Sequence, residues 1–450
     1  MKGSKILLYG SICVAFFVIM YMYFPLSWSS GVKRAIDRFF LDTLTNWWYI
    51  FPLIGLFMLL GFIAFYGIHF LASFGSGYKV KTPYYANISI LIASKNERIL
   101  LERTLESIVK ADYPKEKIQL VIIVSGSTDD TVEYCYKFLS ENKALDIQVL
   151  TDHLPKKGKP SALNYGLKQV KNEIVVLYDS GCILEKDTLK NLINPFQNDN
   201  INAVIGPVLV ANWKANNLTR GILLDYATIS GGGITFETKN RLGASAYAFG
   251  RNFAVSTKYL IKYGGFNEDS MTEDLYLSVL LNLDDVLIHF SPKAKVYEYV
   301  PTTWDILVKQ RTRWMAGYIF DMPQLMAMEG ENKNGKSIII ARNMTMMLIG
   351  NIDTWIPIVI LFAILQILIG EWFLLSWTLS CLFFQFGYLF NAVRKYGDSH
   401  YSLLLIFFIS GYIHLYMFLR QFSLPKEISW EKTPMILEKQ EAEITALSKI

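Results

Sequence analysis

The sequence is short of the residues on which secreted scaffolds and metal enzymes depend. It has 4 cysteines in 450 residues. Cys13 and Cys381 fall in apolar stretches and Cys135 and Cys182 in more polar ones, so no disulfide framework is suggested. Its 5 histidines, His69, His153, His289, His400 and His414, lack metal-ligand spacing, which argues against a zinc enzyme. There is no GxGxxG or GxxxxGK[ST] run, so neither a dinucleotide fold nor a P-loop is supported. The net charge of +5 is small for this length and is not gathered on one face. No nucleic-acid partner is inferred.

What the chain has in excess is apolar residues, at 52% with a mean hydropathy of +0.27. Part of it is therefore expected to sit in a lipid bilayer. Residues from Ile6 to about Trp28 are apolar and uncharged after Lys2 and Lys5, and a second apolar span runs roughly from Trp47 to Phe74. A cleaved signal peptide is the rival reading of the first. Further spans are expected at about Met344 to Gly370, Trp372 to Val393 and Tyr401 to Phe422, with Asn351 and Asp353 inside the first of these. Lys79 and Lys81 follow the second span, and two spans, or a signal plus one span, return the next segment to the cytoplasmic side, with the loop of Lys33, Arg34 and Arg38 a mild violation of the positive-inside rule. The spans lack paired charges and internal repeats, which speaks against a transporter.

Between the spans the composition changes. Runs such as ISILIA, QLVIIV, IQVL and EIVVLYDS alternate with the helical patterns NERILLERTLESIVK, DDTVEYCYKFLS and PSALNYGLKQV. Strands alternating with helices predict a mainly parallel, doubly wound α/β sheet, whose ligands sit at the carboxyl ends of the strands. The residues there are Ser94, Lys95, Asn96 and Glu97 after the first strand, Ser125 to Asp129 after the second, and Asp179, Ser180 and Gly181 after the fourth. Lys157-Gly158-Lys159 opens a helix where backbone N–H groups and a lysine can meet phosphate.

Two later clusters carry the chemistry. Ser270 and Glu273 have capping-box spacing, which puts Asp274 in a first helical turn, where the dipole favours the ionised carboxylate that a general base needs. The same pair also reads as a solvated helix cap. Gln310, Arg313 and Trp314 stand at i, i+3 and i+4 and share a helix face, able to hold a sugar by stacking and a pyrophosphate by charge. An interfacial helix with an aromatic anchor fits that cluster equally.

Together these segments resemble the membrane-embedded, inverting family-2 glycosyltransferases, among them the hyaluronan, chitin, cellulose and poly-N-acetylglucosamine synthases. Thr272-Glu273-Asp274 matches the TED motif, Gln310-Arg311-Thr312-Arg313-Trp314 the Q(Q/R)xRW motif, and Gly158 to Asn164 the GKxxALN segment; Gly250-Arg251-Asn252 and Gly264-Gly265-Phe266 are also similar. The resemblance implies a GT-A domain over residues 86–300 following N-terminal helices and a linker (1–85). Interfacial helices (301–343), transmembrane helices (344–422) and a polar tail (423–450) come after it. It implies a nucleotide-diphosphate sugar donor, usually a UDP-sugar, with Mg²⁺ or Mn²⁺, and a glycan or lipid-linked acceptor at the cell membrane. Asp274, with Glu273, would be catalytic. Ser94, Asn96, Glu97, Ser125, Lys159, Asp179, Arg251 and Arg313 would bind the donor, and Gln310, Arg311 and Trp314 would face the acceptor at a channel mouth.

Two departures stand out: Asp179-Ser180-Gly181 replaces the usual Asp-x-Asp, and Val124-Ser125 replaces Asp-Asp. Asp179 is then the one direct metal ligand expected. The functions left open are a processive polysaccharide synthase, a single-addition transferase and a non-catalytic subunit of the same fold. Donor choice is expected to rest on pocket shape around Gly206, Arg251 and Tyr247.

Overall fold

The computed structural model describes residues 50–75, 83–152, 158–270, 272–331, 352–370 and 372–420. The span at Ile6 to Trp28, Lys79, Lys81, Lys157, Asn351 and the tail from 423 lie outside them.

The alternating pattern builds the first half of a seven-stranded sheet. β1 (Ile88–Ser94) and β2 (Ile118–Ser125) are almost continuously apolar and buried, as strands covered on both faces must be. β3 (Asp146–Asp152) lies outside β2, β4 (Ile174–Leu177) lies beside β1, and all four are parallel. The crossovers are α1 (Arg98–Lys110), α2 (Thr131–Glu141) and α3 (Lys159–Leu167). Leu101, Leu105 and Ile108 of α1 sit one turn apart and bury one face of that helix.

Beyond β4 the order becomes mixed. The sheet runs β3-β2-β1-β4-β6-β5-β7, with β5 (Ala203–Ile205), β6 (Phe253–Ser256) and β7 (Ile288–Phe290). β6 is antiparallel to both β4 and β5, and pairs Phe253 with Leu177. This reversal positions the site: the residues just before β6, Gly250 to Asn252, arrive at the carboxyl end of β4, where Asp179 lies. The sheet is thus mainly parallel, as the sequence pattern predicts, with one reversed strand that the pattern did not reveal. A separate three-stranded sheet joins Ile183–Leu184, Val296–Glu298 and Val208–Val210.

The helix from Glu273 to Leu283, α4, carries the acidic pair, and α5 (Trp304–Glu331) carries Gln310 to Trp314. Apolar helices follow at α6 (Ile352–Ile369), α7 (Trp372–Tyr396) and α8 (Phe407–Arg420), and one at Ile50–Ser73 precedes the sheet. The helix Ile50–Ser73 and α7 dock on the helix Ile234–Arg241. Lys395 Nζ lies 3.0 Å from Glu237 Oε1, His69 Nδ1 lies 2.7 Å from Thr238 Oγ1, and Arg241 donates to the Ala72 carbonyl at 2.7 Å. Among the described residues no helix is long and apolar enough to cross a membrane. Large apolar side chains are nonetheless exposed along these helices, including Leu361, Phe362, Leu368, Phe383, Phe408 and Tyr412. Cys135, Cys182 and Cys381 are buried free thiols.

Candidate active site

The carboxyl rim of β1, β2 and β4 forms the floor of the site. Asn96, in the left-handed region at φ 51°, ties the first two strand ends together. Its Oδ1 accepts the Thr128 N–H at 2.7 Å and its N–H donates to Ser127 Oγ at 2.9 Å. Ser94 is buried, and its Oγ has no hydrogen-bond partner among the described residues. Glu97 is the N-cap residue of α1 but makes no side-chain cap. Ser180 Oγ reaches the Ala93 carbonyl at 3.4 Å, which brings the Asp179 segment to the same rim. The three strand-end clusters therefore converge, as the sheet reading requires.

The wall is made by α4. The capping-box expectation fails here: the helix starts at Glu273 with Thr272 as N-cap and no side-chain cap. Ser270 Oγ instead donates to Asp321 Oδ2 at 2.5 Å and accepts the Thr272 N–H at 3.0 Å. Thr272 Oγ1 donates to the same Asp321 oxygen at 2.9 Å. Asp321, on α5, thus fastens the acidic turn to the helix bearing Gln310 to Trp314; its distance along the chain hid it from sequence inspection.

Asp274 remains in the first turn. Its Oδ2 accepts the Gly250 N–H at 2.6 Å and its Oδ1 the Leu275 N–H at 2.8 Å. Two backbone donors fix the plane of the carboxylate and leave lone pairs on both oxygens for an incoming proton. Lys159 Nζ lies 2.7 Å from Asp179 Oδ1 and 2.9 Å from Glu273 Oε1. A Cβ on Gly250 would stand 2.3 Å from that Nζ, 3.4 Å from Glu273 Oε1 and 3.5 Å from Asp274 Oδ2. The ammonium and the two carboxylates therefore crowd one point, which only a residue without a side chain leaves open.

The electrostatics follow from this crowding. Burial pushes the Glu273 carboxyl up, against the opposing pull of Lys159. Burial also works against the charge of Lys159, yet Asp179, Glu273 and Asp274 outweigh it and raise the ammonium above its ordinary value. Burial lowers Arg313, against the pull of Glu273, Asp179 and Asp274, which favours its charge.

The other two arginines are engaged elsewhere. Arg251 Nη1 bonds to Glu298 and, at 3.1 Å, to the Tyr226 hydroxyl, in a buried cluster. Arg311 Nη2 lies 2.6 Å from Asp225 Oδ2 and its Nη1 donates to Ser230 Oγ at 2.9 Å. Both guanidiniums also lie over the ring of half-buried Trp314, at 5.2 Å and 4.5 Å from its centroid. Expected as donor and acceptor contacts, Arg251 and Arg311 are placed by the structure where they position Trp314. Gln310 is buried beside them. Gly206 and Tyr247 belong to the packed interior rather than to an open pocket. Tyr226, Asp225 and Glu298, absent from the sequence reading, complete this support.

The GKxxALN and GGF segments prove to be halves of one joint. Asn164 Nδ2 donates to the Phe266 carbonyl at 2.9 Å and its Oδ1 accepts the Phe266 N–H at 2.7 Å. Ser161 Oγ donates to Glu268 Oε2 at 2.7 Å.

Residues 86–317, just over half of the chain, match the family model described as glycosyltransferase like family 2. The chain belongs to that family. A protein named "Probable glycosyltransferase YdaM" from Bacillus subtilis (strain 168) is 28% identical over 236 residues, covering 51% of this chain and 54% of that protein. A poly-beta-1,6-N-acetyl-D-glucosamine synthase of Staphylococcus epidermidis is 32% identical over 234 residues, again 51% and 54%. The chain thus matches about half the length of these relatives. Among solved structures, the mannosyltransferase PcManGT from Pyrobaculum calidifontis, in complex with GDP-Man and Mn²⁺, superposes with a TM-score of 0.52 at 16% identity. It covers 81% of this chain and 96% of its own. At that identity the likeness shows the fold, GT-A, with a mixed, mainly parallel sheet.

Proposed function

We propose that this family-2 member is an inverting glycosyltransferase that takes a sugar from a nucleotide-diphosphate donor, a UDP-sugar, and adds it to a growing β-linked polysaccharide. The observation that carries the reading is the meeting of Asp274, Glu273, Lys159 and Asp179 beside Gly250 at the strand ends, within electrostatic reach of Arg313.

In this reading the acceptor hydroxyl approaches Asp274, whose carboxylate accepts its proton. The acceptor oxygen forms the new bond to the sugar C1 from the face opposite the phosphate, and the C1–O bond to phosphate breaks. Its electron pair leaves on the nucleoside diphosphate, and the configuration at C1 inverts. Lys159 and Arg313 are the cations placed to meet the charge that develops on the leaving oxygen. Trp314, braced by Arg251 and Arg311, is the aromatic surface on which the acceptor sugar stacks. Ser94, Asn96, Glu97 and Ser125 line the nucleoside side.

The donor set does not make a resident divalent site. Asp179 is a single carboxylate already engaged by Lys159, Gly181 supplies none, and no group of three or more His, Cys, Asp or Glu residues is set to hold a metal among the described residues. The steps above therefore rest on the protein's own cations.

Attachment to the cell membrane, with the catalytic domain cytoplasmic, is part of the proposal. Its support is the apolar sequence on both flanks and the exposed apolar side chains of α6 to α8. A second reading, a non-catalytic subunit, is favoured by Gly181 and Ser125. Nucleoside-diphosphate release by the purified full chain, screened over UDP-glucose, UDP-N-acetylglucosamine, UDP-glucuronate and GDP-mannose, separates the two. Release with one donor and a lengthening product supports the synthase. A single added sugar reduces it to a one-step transferase, and no release with no nucleotide binding supports the subunit.

A further inference from the structure

The carboxylates at the strand ends already hold a cation. Lys159 Nζ bridges Asp179 and Glu273 at 2.7 Å and 2.9 Å, and all three side chains are largely shielded, at 24%, 38% and 9% exposure in the order Lys159, Asp179, Glu273. The position two residues beyond Asp179 is closed to a second carboxylate by its backbone as well as its identity. Gly181 has φ +100°, its N–H donates to Thr104 Oγ1 at 2.8 Å, and a Cβ there would touch Leu100 Cδ2 at 3.4 Å. The loop is built for glycine.

We propose that Lys159 is the resident cation of this site, holding Asp179 and Glu273 together before the donor binds and excluding a divalent ion from the donor-free protein. The inference rests on the reading of this rim as the donor site. Mg²⁺ requires ligands at about 2.1 Å and is commonly held by one or two carboxylates plus substrate phosphates. With Asp179 occupied and Gly181 silent, the remaining ligands must come from the diphosphate itself, so any ion that takes part enters with the donor. The flexible stem of lysine suits this exchange, because the ammonium can swing from the carboxylates to a phosphate oxygen without moving the backbone. Gly250 keeps the space for that swing.

Mn²⁺ uptake, read by the electron paramagnetic resonance of the free ion, tests this on the full chain without nucleotide. The wild type is expected to take up no Mn²⁺ below roughly millimolar concentration. Lys159→Met is expected to gain affinity about tenfold or more, the scale of coupling between ligands sharing a site. Adding Asp179→Asn should erase that gain, and UDP should bring Mn²⁺ to the wild type. Gly250→Ala, which pushes the ammonium aside, gives the same gain by a second route if Lys159→Met does not fold. Tight uptake by the nucleotide-free wild type that Asp179→Asn abolishes overturns the proposal, as does a folded Lys159→Met protein with no gain. A chain that transfers no sugar from any donor refutes the proposed function but leaves this readout intact.

Discussion

Asp225→Asn removes the charge at the centre of the support beneath Arg311 and Trp314. Asp225 is fully buried and accepts bonds from Arg311 Nη2 at 2.6 Å, Ser230 Oγ at 2.6 Å and His414 Nε2 at 2.8 Å. Burial works against its ionised form, but Arg311 and His414 more than offset this and hold the carboxyl well below the usual carboxylate range. Breaking a buried ion pair strands the remaining charge and costs about 3–5 kcal/mol. Arg311 keeps its bond to Ser230 Oγ, so the lower end, about 3 kcal/mol, is expected. At roughly 2–4 °C per kcal/mol for a domain of this size, the apparent Tm should fall by about 6–12 °C in differential scanning fluorimetry. The double variant Asp225→Asn/Arg311→Met should recover more than half of that loss, because no charge is left stranded. The sign with pH is fixed by the depressed folded pKa: the stabilisation is complete above the ordinary carboxylate pKa of about 4 and is lost only as pH falls below it. The carboxylate's share of the difference between wild type and variant should therefore shrink only in acid below about pH 4. A single variant melting within about 2 °C of wild type would refute the reasoning.

Three further outcomes follow from the geometry. Gly250→Ala should lower turnover by about tenfold or more, equivalent to about 1.4 kcal/mol, while moving the Tm little, since the new Cβ meets the flexible tip of Lys159; steady-state kinetics beside a melt checks both. Asn164→Ala leaves the Phe266 N–H and carbonyl without their partner, and chemical denaturation should show a loss of about 2–3 kcal/mol. Burial lowers the pKa of His289 to about 4. The unfolded chain then binds the extra proton first, so stability is full above about pH 6.5 and falls toward pH 4 by at most about 3 kcal/mol. In a pH series of melts, His289→Gln should flatten that decline.

The first half of the sheet was legible because β1, β2 and β4 are buried apolar runs and a helix follows each of β1, β2 and β3. The second half was not. Its strands are three or four residues long, too short for a period to show, and the reversal of β6 depends on pairing between distant segments. At the site, Asp274 was correctly placed in a first turn from local spacing alone. Its neighbour Ser270 was assigned to a cap that does not form, because Asp321, some fifty residues on, competes successfully for its hydroxyl. The same limit applies to Arg251 and Arg311. Sequence marks them as cations near a phosphate site, and only the fold shows Glu298 and Asp225 buried against them. Gly250 was marked only by the resemblance of Gly250-Arg251-Asn252, and its part, leaving space beside the side chains of Lys159, Glu273 and Asp274, shows only in the fold.

In the proposed reaction Asp274 takes the acceptor proton. Sugar transfer from the preferred donor by Asp274→Asn, measured beside its affinity for the nucleoside diphosphate, tests this most directly. The account predicts a fall in transfer of about a hundredfold to ten-thousandfold with nucleotide affinity unchanged, the range expected when a general base is removed. Transfer retained within about tenfold of wild type, in a protein that still binds nucleotide, would contradict it.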